Sequence, residues 1–566
     1  MISVAPFIVF LVGALLACFA RGRVRDAIVV ATPIVGALNL WALDGSAPTI
    51  ITLFGRELIL VEVDRLSMLF GWLFHLAAFL ALIYGLHRPN KLEQVTCLLY
   101  AASTMGAIFA GDLLTLFMFW EGLGLTSVFL VLARGTRRSE KAAIRYLLMQ
   151  IASGMLLLCG IVVLIGQGRS LDMAPMELEG LAAWLILLSL GIKAGFPLLH
   201  NWITDTYPEA TVTGTVIMSA LTTKTAIYVL ARLFPGTEIL IYIGVSMTLF
   251  PIFYAVIEDD LRRVLSYSVI NQLGFMVTGI GIGTNLAING AVSHAFAHVV
   301  YKSLLFMSMG AVLHRTGRIG ASELGGLYRT MPRTTVMCII GASSISAFPL
   351  FSGFVSKAMV MSAALQSGHE WVWLALLFAS AGVLHHAGIK IPFCAFFGHD
   401  SGLRPKEAPR PMLIAMAIAS FSCIFIGIFP GVLYGMLPYE VTYQPYTFEH
   451  VVTQLQLLLF AALCFVVLRL TRLEPAERPG VNLDVEWFYR YMLPRIARAL
   501  RATLSRARLA SGAAAEQILG AGIGLVTRLH GPRGVLARDP LGSYALIVII
   551  ALFAVVLVFE LALGSR

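Results

Sequence analysis

The stretch Leu187–Phe234 reads LLSLGIKAGFPLLHNWITDTYPEATVTGTVIMSALTTKTAIYVLARLF, and the nature of the whole chain turns on it. An apolar run carries a lysine, Lys193, and then a proline, Pro197. A polar break follows with His200, Asn201 and Asp205, and a second apolar run holds another lysine, Lys224. A proline inside a membrane helix frees backbone groups, so the helix is interrupted there and lines protein or water rather than lipid. An ammonium at membrane depth costs roughly 2.5–3.5 kcal/mol on insertion scales. One such lysine is explained by snorkelling; two flanking a broken helix mark a transport site.

The rest of the composition agrees. Of 566 residues, 58% are hydrophobic and 13% charged, with a mean hydropathy of +0.84. Soluble domains are about one quarter charged, so the chain reads as an all-α polytopic membrane protein. A net charge of +10 would point to nucleic acid in a soluble protein. Here the basic residues fall in short loops, the pattern that sets membrane topology, and nucleic-acid binding is excluded. About sixteen apolar segments approach the ~20 residues of a span, from 3–20 at the start to 541–562 at the end. Arg21–Arg25, Arg88 and Lys91, Arg134–Lys141, Arg262 and Arg263, Arg315–Arg333 and Arg404–Arg410 follow odd-numbered segments. These loops are therefore expected in the cytoplasm and the N-terminus outside, in a bacterial inner membrane. The first segment, Val4–Ala20, has no cleavage site after it and reads as a retained span. The seven cysteines lie singly in apolar runs. No iron–sulfur, haem or zinc pattern is present, so no cofactor is expected and electron transfer by this chain alone is excluded.

Internal echoes divide the chain. Phe196-Pro197-Leu198 recurs as Phe348-Pro349-Leu350, each breaking an apolar run with a lysine nearby, Lys193 and Lys357. The two sites lie about five spans apart, an odd number, so they enter the membrane from opposite sides, as in an inverted repeat with discontinuous helices. The expectation is 14–16 transmembrane helices with two inverted five-helix repeats. The expected divisions are N-terminal helices over 1–94, a first repeat over 95–257, a second, inverted repeat over 258–400, and further transmembrane helices over 401–470. A basic, polar stretch over 471–540 and a terminal anchor over 541–566 complete the chain. Within the basic stretch, Ile496, Leu500 and Leu504 recur every fourth residue while Arg495, Arg498, Arg501, Arg506 and Arg508 take other faces. That spacing predicts an amphipathic helix on the cytoplasmic surface, its arginines facing anionic lipid or a neighbouring subunit; the alternative is a linker. Fully helical, this stretch would reach ~105 Å. Pro475, Pro479, Pro494 and Pro532 predict a shorter, broken helix instead.

The ionisable residues at membrane depth are the candidate site. Glu121 stands alone in FMFWEGLGLTSVFL, and Lys193 is its natural partner. Either the two form a fixed ion pair that staples helices, or they form a switch. Desolvation favours the neutral amine and a nearby carboxylate favours the ammonium, so changing their separation loads or discharges a proton. Lys224 lies among Thr222, Thr223 and Thr225 and reads as a second proton-holding position. His294, His298 and Lys302 recur every fourth residue in AVSHAFAHVVYKSLLF and share one helix face. Histidine titrates near neutrality and suits a relay. A zinc site built on the two histidines lacks a third ligand, so no metal is expected. Lys357, in FPLFSGFVSKAMVMSA, closes the series. His385, His386 and Lys390 interrupt a further apolar run and either extend the axis or mark a helix end. Asp259, Asp260, Arg262 and Arg263 read as a structural loop.

The motifs WEGLGLTSVFLV, GIKAGFPLLHNW, DDLRRVLSYSVINQLGF, HAFAHVVYKSLLF and FPLFSGFVSK resemble the antiporter-like membrane subunits of respiratory complex I, membrane-bound hydrogenases and Mrp-type sodium/proton antiporters. The resemblance covers about residues 60–440. It implies a proton path through Glu121, Lys193, Lys224 and Lys357, with His294, His298 and Lys302 on a central helix. It implies a proton-translocating subunit of a multi-subunit complex, with other membrane subunits as partners and sodium as a candidate exchanged ion. Any redox or other catalysis would lie in partner subunits. The alternatives are the pumping arm of a redox complex, or the energy-coupling membrane subunit of an inorganic-carbon uptake system.

Overall fold

The structure is a computed structural model that describes residues 4–53, 55–471, 473, 478, 480, 482, 484, 485, 487–530 and 546–556. The chain divides into two compact units, Met1–Asn482 and Leu483–Arg566. The first unit is a bundle of helices in which polar residues start the spans and apolar residues fill them. Helices α1 (Pro6–Phe19) and α2 (Gly22–Leu43) are followed by a small antiparallel hairpin, β1 (Thr49–Leu53) and β2 (Arg56–Val61). This hairpin departs from the all-helical expectation. Its strands, TIITL and RELILV, are rich in β-branched and apolar residues, and Gly55 takes the positive φ its turn requires.

Helices α3 (Arg65–Gly85), α4 (Lys91–Phe109), α5 (Leu113–Leu132) and α6 (Arg137–Gly166) come next. Asp64, Asn90, Asp112 and Thr136 cap them by accepting from amides of their first turns. The first broken span is α7 (Gly180–Ala194) followed by the short α8 (Asn201–Thr206). Then come α9 (Val212–Leu233), α10 (Ile239–Ile257), α11 (Leu261–Ile282) and α12 (Asn285–Thr316). The second broken span is α13 (Pro332–Ile345) and α14 (Ser352–Gln366). Helix α15 (Glu370–Phe397) opens into π turns at Leu384–Ile389 and Phe393–Phe397, and α16 (Arg410–Ile428) and α17 (Phe448–Leu470) end the unit. Twelve helices among the described residues are long and apolar enough to cross a membrane, so the protein is a multi-pass membrane protein. In α9, α11 and α12, 94% of the apolar window is buried against other helices, whereas in α17 it is 11%. The middle of the bundle is therefore where a charge is shielded from lipid.

The two breaks share a backbone design. Gly195 and Leu198 have φ of 76° and 71°; Ala347 and Leu350, aligned with them on the common Phe-Pro-Leu, have 58° and 76°. Two left-handed residues bracket each Phe-Pro pair and turn the chain out of the helix and back. The starts of α5 and α11 also match: Asp112 and Asp260 each cap the helix and sit in an isolated bridge, with Asp172 and Gly320 respectively.

In the second unit, α18 runs unbroken from Leu493 to His530, about 57 Å at 1.5 Å per residue. Pro494 stands at the second position of this helix, directly after a π turn over Phe488–Met492, so the proline falls where the turn type changes and no break lies inside Leu493–His530. Pro475, Pro479 and Pro532 lie outside the described residues. Of the expected last span, Leu546–Val556 is helical and the remainder lies outside the described residues.

Candidate functional site

Lys193, Lys224, Lys302 and Lys357 are each at most 1% exposed, and Lys390 is as deeply buried. What surrounds the first four is unusual for buried cations. Lys193, near the end of α7, donates from Nζ to the Trp120 carbonyl (2.7 Å) and lies 4.3 Å over the Trp120 ring. Lys224 of α9 folds back to donate to the Ser219 carbonyl (2.7 Å) and to Thr223 Oγ1 (3.1 Å). Lys302 of α12 donates to the Leu265 carbonyl (3.3 Å). Lys357 of α14 donates to the Ile345 carbonyl (3.1 Å) and sits 5.0 Å from the Phe275 ring. Among the described residues none of these four has a carboxylate within 4 Å.

Glu121 is therefore not locked to Lys193. The two interact electrostatically, but the ammonium is taken up by the carbonyl of the preceding residue, Trp120. The half-buried carboxylate rests against the bare Cα of Gly154 on α6, where a Cβ would stand 1.3 Å from Glu121 Oε1. Gly154 makes the notch that holds Glu121. One turn earlier on α6, both polar atoms of the Gln150 amide are buried without a partner, as expected of groups that bind water.

His294 and His298 are fully buried on α12. His294 pairs through Nδ1 with Ser356 Oγ (3.1 Å) and through Nε2 with Gln272 Oε1 (3.2 Å), which also accepts from the Tyr301 hydroxyl (3.0 Å). Both ring nitrogens of His298 are buried without a hydrogen-bond partner. His298 lies within electrostatic range of Lys224, His294, Lys302 and Lys357, groups drawn from three different helices. Lys390, in α15, stands farther along. It donates to the carbonyls of Ala255 (3.3 Å), Val256 (2.6 Å) and Glu258 (2.7 Å) at the end of α10, with His386 between it and Lys302 in electrostatic reach. Between Lys193 and Lys224 stand Trp202, which donates from Nε1 to the Ile192 carbonyl (2.7 Å), and Tyr207, their rings edge to face at 5.9 Å. No group of three or more metal-binding side chains occurs among the described residues.

The sequence reading missed Gln272, Ser356, Tyr301 and Gly154, and it placed Arg262 only in a loop. Gln272 lies within the quoted DDLRRVLSYSVINQLGF, yet an uncharged amide gives no signal by hydropathy. Arg262 is 1% exposed and donates to the carbonyls of Pro208, Tyr207 and Ala210 (3.0 Å each) and to Thr215 Oγ1. It thereby holds the chain that returns from the first break into α9. Above it lies a cavity of about 370 Å³ whose walls include His87, Arg88, Glu93, Arg134 and His314. Burial, together with the neighbouring His314 and arginines, holds His87 down at about 4, although its Nδ1 donates to the Tyr84 carbonyl (2.7 Å).

A polytopic bundle with ammonium and imidazole groups sunk in its centre, apart from carboxylates, defines a protein that handles charge inside the membrane. Residues 110–382 match the family described as "NADH:quinone oxidoreductase/Mrp antiporter, TM". Among curated relatives, "Uncharacterized protein MJ1309" of Methanocaldococcus jannaschii is 28% identical over 64% of this chain and 80% of its own length. A Na(+)/H(+) antiporter subunit of Alkalihalophilus pseudofirmus is 32% identical over 53% of this chain and 64% of its own length. An NADH-quinone oxidoreductase subunit of Desulforudis audaxviator is 32% identical over 50% of this chain and 60% of its own length. The matched stretch thus spans less than two thirds of the latter two. In fold, the chain superposes on a chain of the "Mrp complex from Dietzia sp. DQ12-45-1b", with TM-score 0.71, 21% identity, and 79% and 99% of the two chains covered. It also superposes on one of the "membrane-bound sulfane sulfur reductase (MBS), an archaeal respiratory membrane complex", with TM-score 0.71, 22% identity, and 97% and 99% covered.

Proposed function

We propose that this protein is a proton-translocating membrane subunit of a multi-subunit complex, and that protons move along Glu121, Lys193, Lys224, His294, His298, Lys302, Lys357 and Lys390. The observation that carries the reading is the company the lysines keep. Four fully buried Nζ atoms are solvated by backbone carbonyls and hydroxyls, with no carboxylate in contact among the described residues. A buried ammonium with a contact carboxylate is fixed by it; one held by neutral dipoles alone is poised to release its proton. His298, with both ring nitrogens open, sits among them as the exchangeable link. Moving one charge across 100 mV involves ~2.3 kcal/mol, within what a change of a lysine's surroundings supplies.

On this reading the two broken spans belong to inverted repeats over 95–257 and 258–400, and the basic loops face the cytoplasm of a bacterial cell with the N-terminus outside. Sodium is the counter-ion of the antiporter version, supported by the likeness to the sodium/proton antiporter protein of Alkalihalophilus pseudofirmus. The likeness to the NADH-quinone oxidoreductase protein of Desulforudis audaxviator supports a second version, the pumping arm of a redox complex. Co-purifying subunits separate the two: small membrane subunits mark the first, flavin or iron–sulfur proteins the second. The arginine-bearing face of α18 serves either version as a contact for anionic lipid or a neighbouring subunit.

Lys193→Ala in inverted vesicles tests the path. Proton movement should fall tenfold or more in an assembled complex; unchanged movement contradicts the path. Glu121→Gln should slow transport with assembly intact, whereas loss of the complex would make Glu121 a staple between helices.

A further inference from the structure

Helix α9 presents Lys224, Tyr228 and Arg232 at intervals of four, so they lie on one face, about 12 Å from first to last. At the Val212 end of this helix, polar groups lead inward from the cavity beside Arg262. Thr211 caps the helix and donates to Glu93, and Thr215 Oγ1 donates to the Tyr207 carbonyl (2.7 Å). The Tyr207 hydroxyl donates to the Met218 carbonyl (3.0 Å), with Thr223, a partner of Lys224, beside it. The opposite end is built differently. Tyr228 is fully buried, its hydroxyl without a partner by geometry, and the Arg232 guanidinium lies 5.3 Å over its ring. Arg232 Nε is buried without a partner, and its Nη2 is paired with Asp64, the cap of α3. The arginine side chain is 10% exposed and the aspartate 43%, so the order outward from Lys224 is phenol, guanidinium, carboxylate, solvent.

We propose that Arg232 is a charged plug that closes the route from Lys224 to the membrane face opposite the basic loops. This rests on the reading of Lys224 as a proton carrier. A guanidinium stays protonated at any working pH and accepts no hydrogen bond, so it relays no proton. A fixed positive charge in a narrow polar passage also repels hydronium, as arginine does in water-conducting pores. Protons then reach Lys224 only from the cavity end or sideways from the α12 histidines, and the chain does not short-circuit the gradient along a single helix. Asp64 anchors the plug; its own charge is not the barrier.

The test uses vesicles holding the whole complex. The membrane potential is clamped with potassium and valinomycin, and the passive decay of an imposed pH step is followed by an enclosed pH dye. Arg232→Gln and Arg232→Met should each raise the leak tenfold or more. Arg232→Lys, which keeps a cation, and Asp64→Asn, which keeps the arginine, should stay tight. Adding Lys224→Ala to Arg232→Gln should return the leak to the wild-type rate. A purely structural ion pair would make Asp64→Asn and Arg232→Gln alike. The proposal is overturned if either neutral variant assembles and remains as tight as wild type, or if Asp64→Asn leaks equally. Failure of the broader reading shows elsewhere, as driven proton movement indifferent to Lys193→Ala in the same vesicles.

Discussion

The two broken helices have the same backbone and opposite furnishing. Aligned on the shared Phe-Pro-Leu, Lys193 falls opposite Ile345, and Lys357 falls opposite Asp205. In the first break the lysine precedes the turn. The aligned downstream position is a carboxylate held by Arg145 (2.5 Å), with Arg263 at 4.0 Å. In the second break the lysine follows the turn, and it reaches back across it to the carbonyl of Ile345, the residue aligned with Lys193. Each break therefore puts one ammonium beside the end of its upstream helix, delivered from a different arm. The lesson is that the place of the charge is shared while the residue that supplies it is not.

The sharpest way to break that comparison is to move the charge from one arm to the other. Lys357→Ala should cut proton transport tenfold or more in vesicles of the assembled complex. If position is what counts, adding Ile345→Lys should bring the rate back to within a few-fold of wild type. No recovery in an assembled double variant would mean that the downstream arm itself matters, and the alignment would be a coincidence of backbone.

The anchors of the two breaks differ as well, and their removal should differ in size. Arg262 donates to three carbonyls and a threonine hydroxyl below the first break. The Tyr207 carbonyl keeps Thr215 and the Pro208 carbonyl keeps Arg134, so the Ala210 carbonyl is the acceptor left bare, and Arg262→Ala should destabilise the purified protein by about 2 kcal/mol or more. The second break is held more lightly: the Leu350 amide donates to the Tyr446 hydroxyl (3.3 Å), which donates in turn to the Gly427 carbonyl. Tyr446→Phe should cost about 1 kcal/mol. Thermal unfolding in detergent reads both, and equal losses would remove the distinction between a heavily and a lightly anchored break.

Much of this was legible beforehand because the membrane makes charge conspicuous. Lys193, Pro197 and Lys357 stand out in apolar runs, and the breaks lie where proline and lysine coincide. His294, His298 and Lys302 share a helix because their spacing allows nothing else. What stayed hidden has physical reasons. Lys357 returns across its own turn through a long side chain, a path that spacing does not reveal. Gln272 and Ser356, which hold His294, carry no charge. Arg262 borders a basic loop, so its sequence context suggested solvent, whereas the return of the broken helix wraps carbonyls around it. The hairpin at Thr49–Val61 was passed over because two short strands beside long apolar helices give a weak alternating signal.

The smallest effect concerns the turns themselves. Position 195 is glycine and its aligned partner 347 is alanine, yet both have positive φ, 76° and 58°. A side chain in this region costs roughly 1–2 kcal/mol, so the second turn carries strain that the first avoids. Gly195→Ala should destabilise by about 1 kcal/mol or more, since its Cβ would also stand 2.6 Å from Ile203 Cδ1. Ala347→Gly should stabilise, but by less than about 1 kcal/mol, because the freer unfolded chain offsets part of the relief. Opposite signs in thermal unfolding are the expected result. If both substitutions destabilise, Ala347 is held in place by contacts that outweigh its backbone, and the two turns share a shape without sharing the forces that make it.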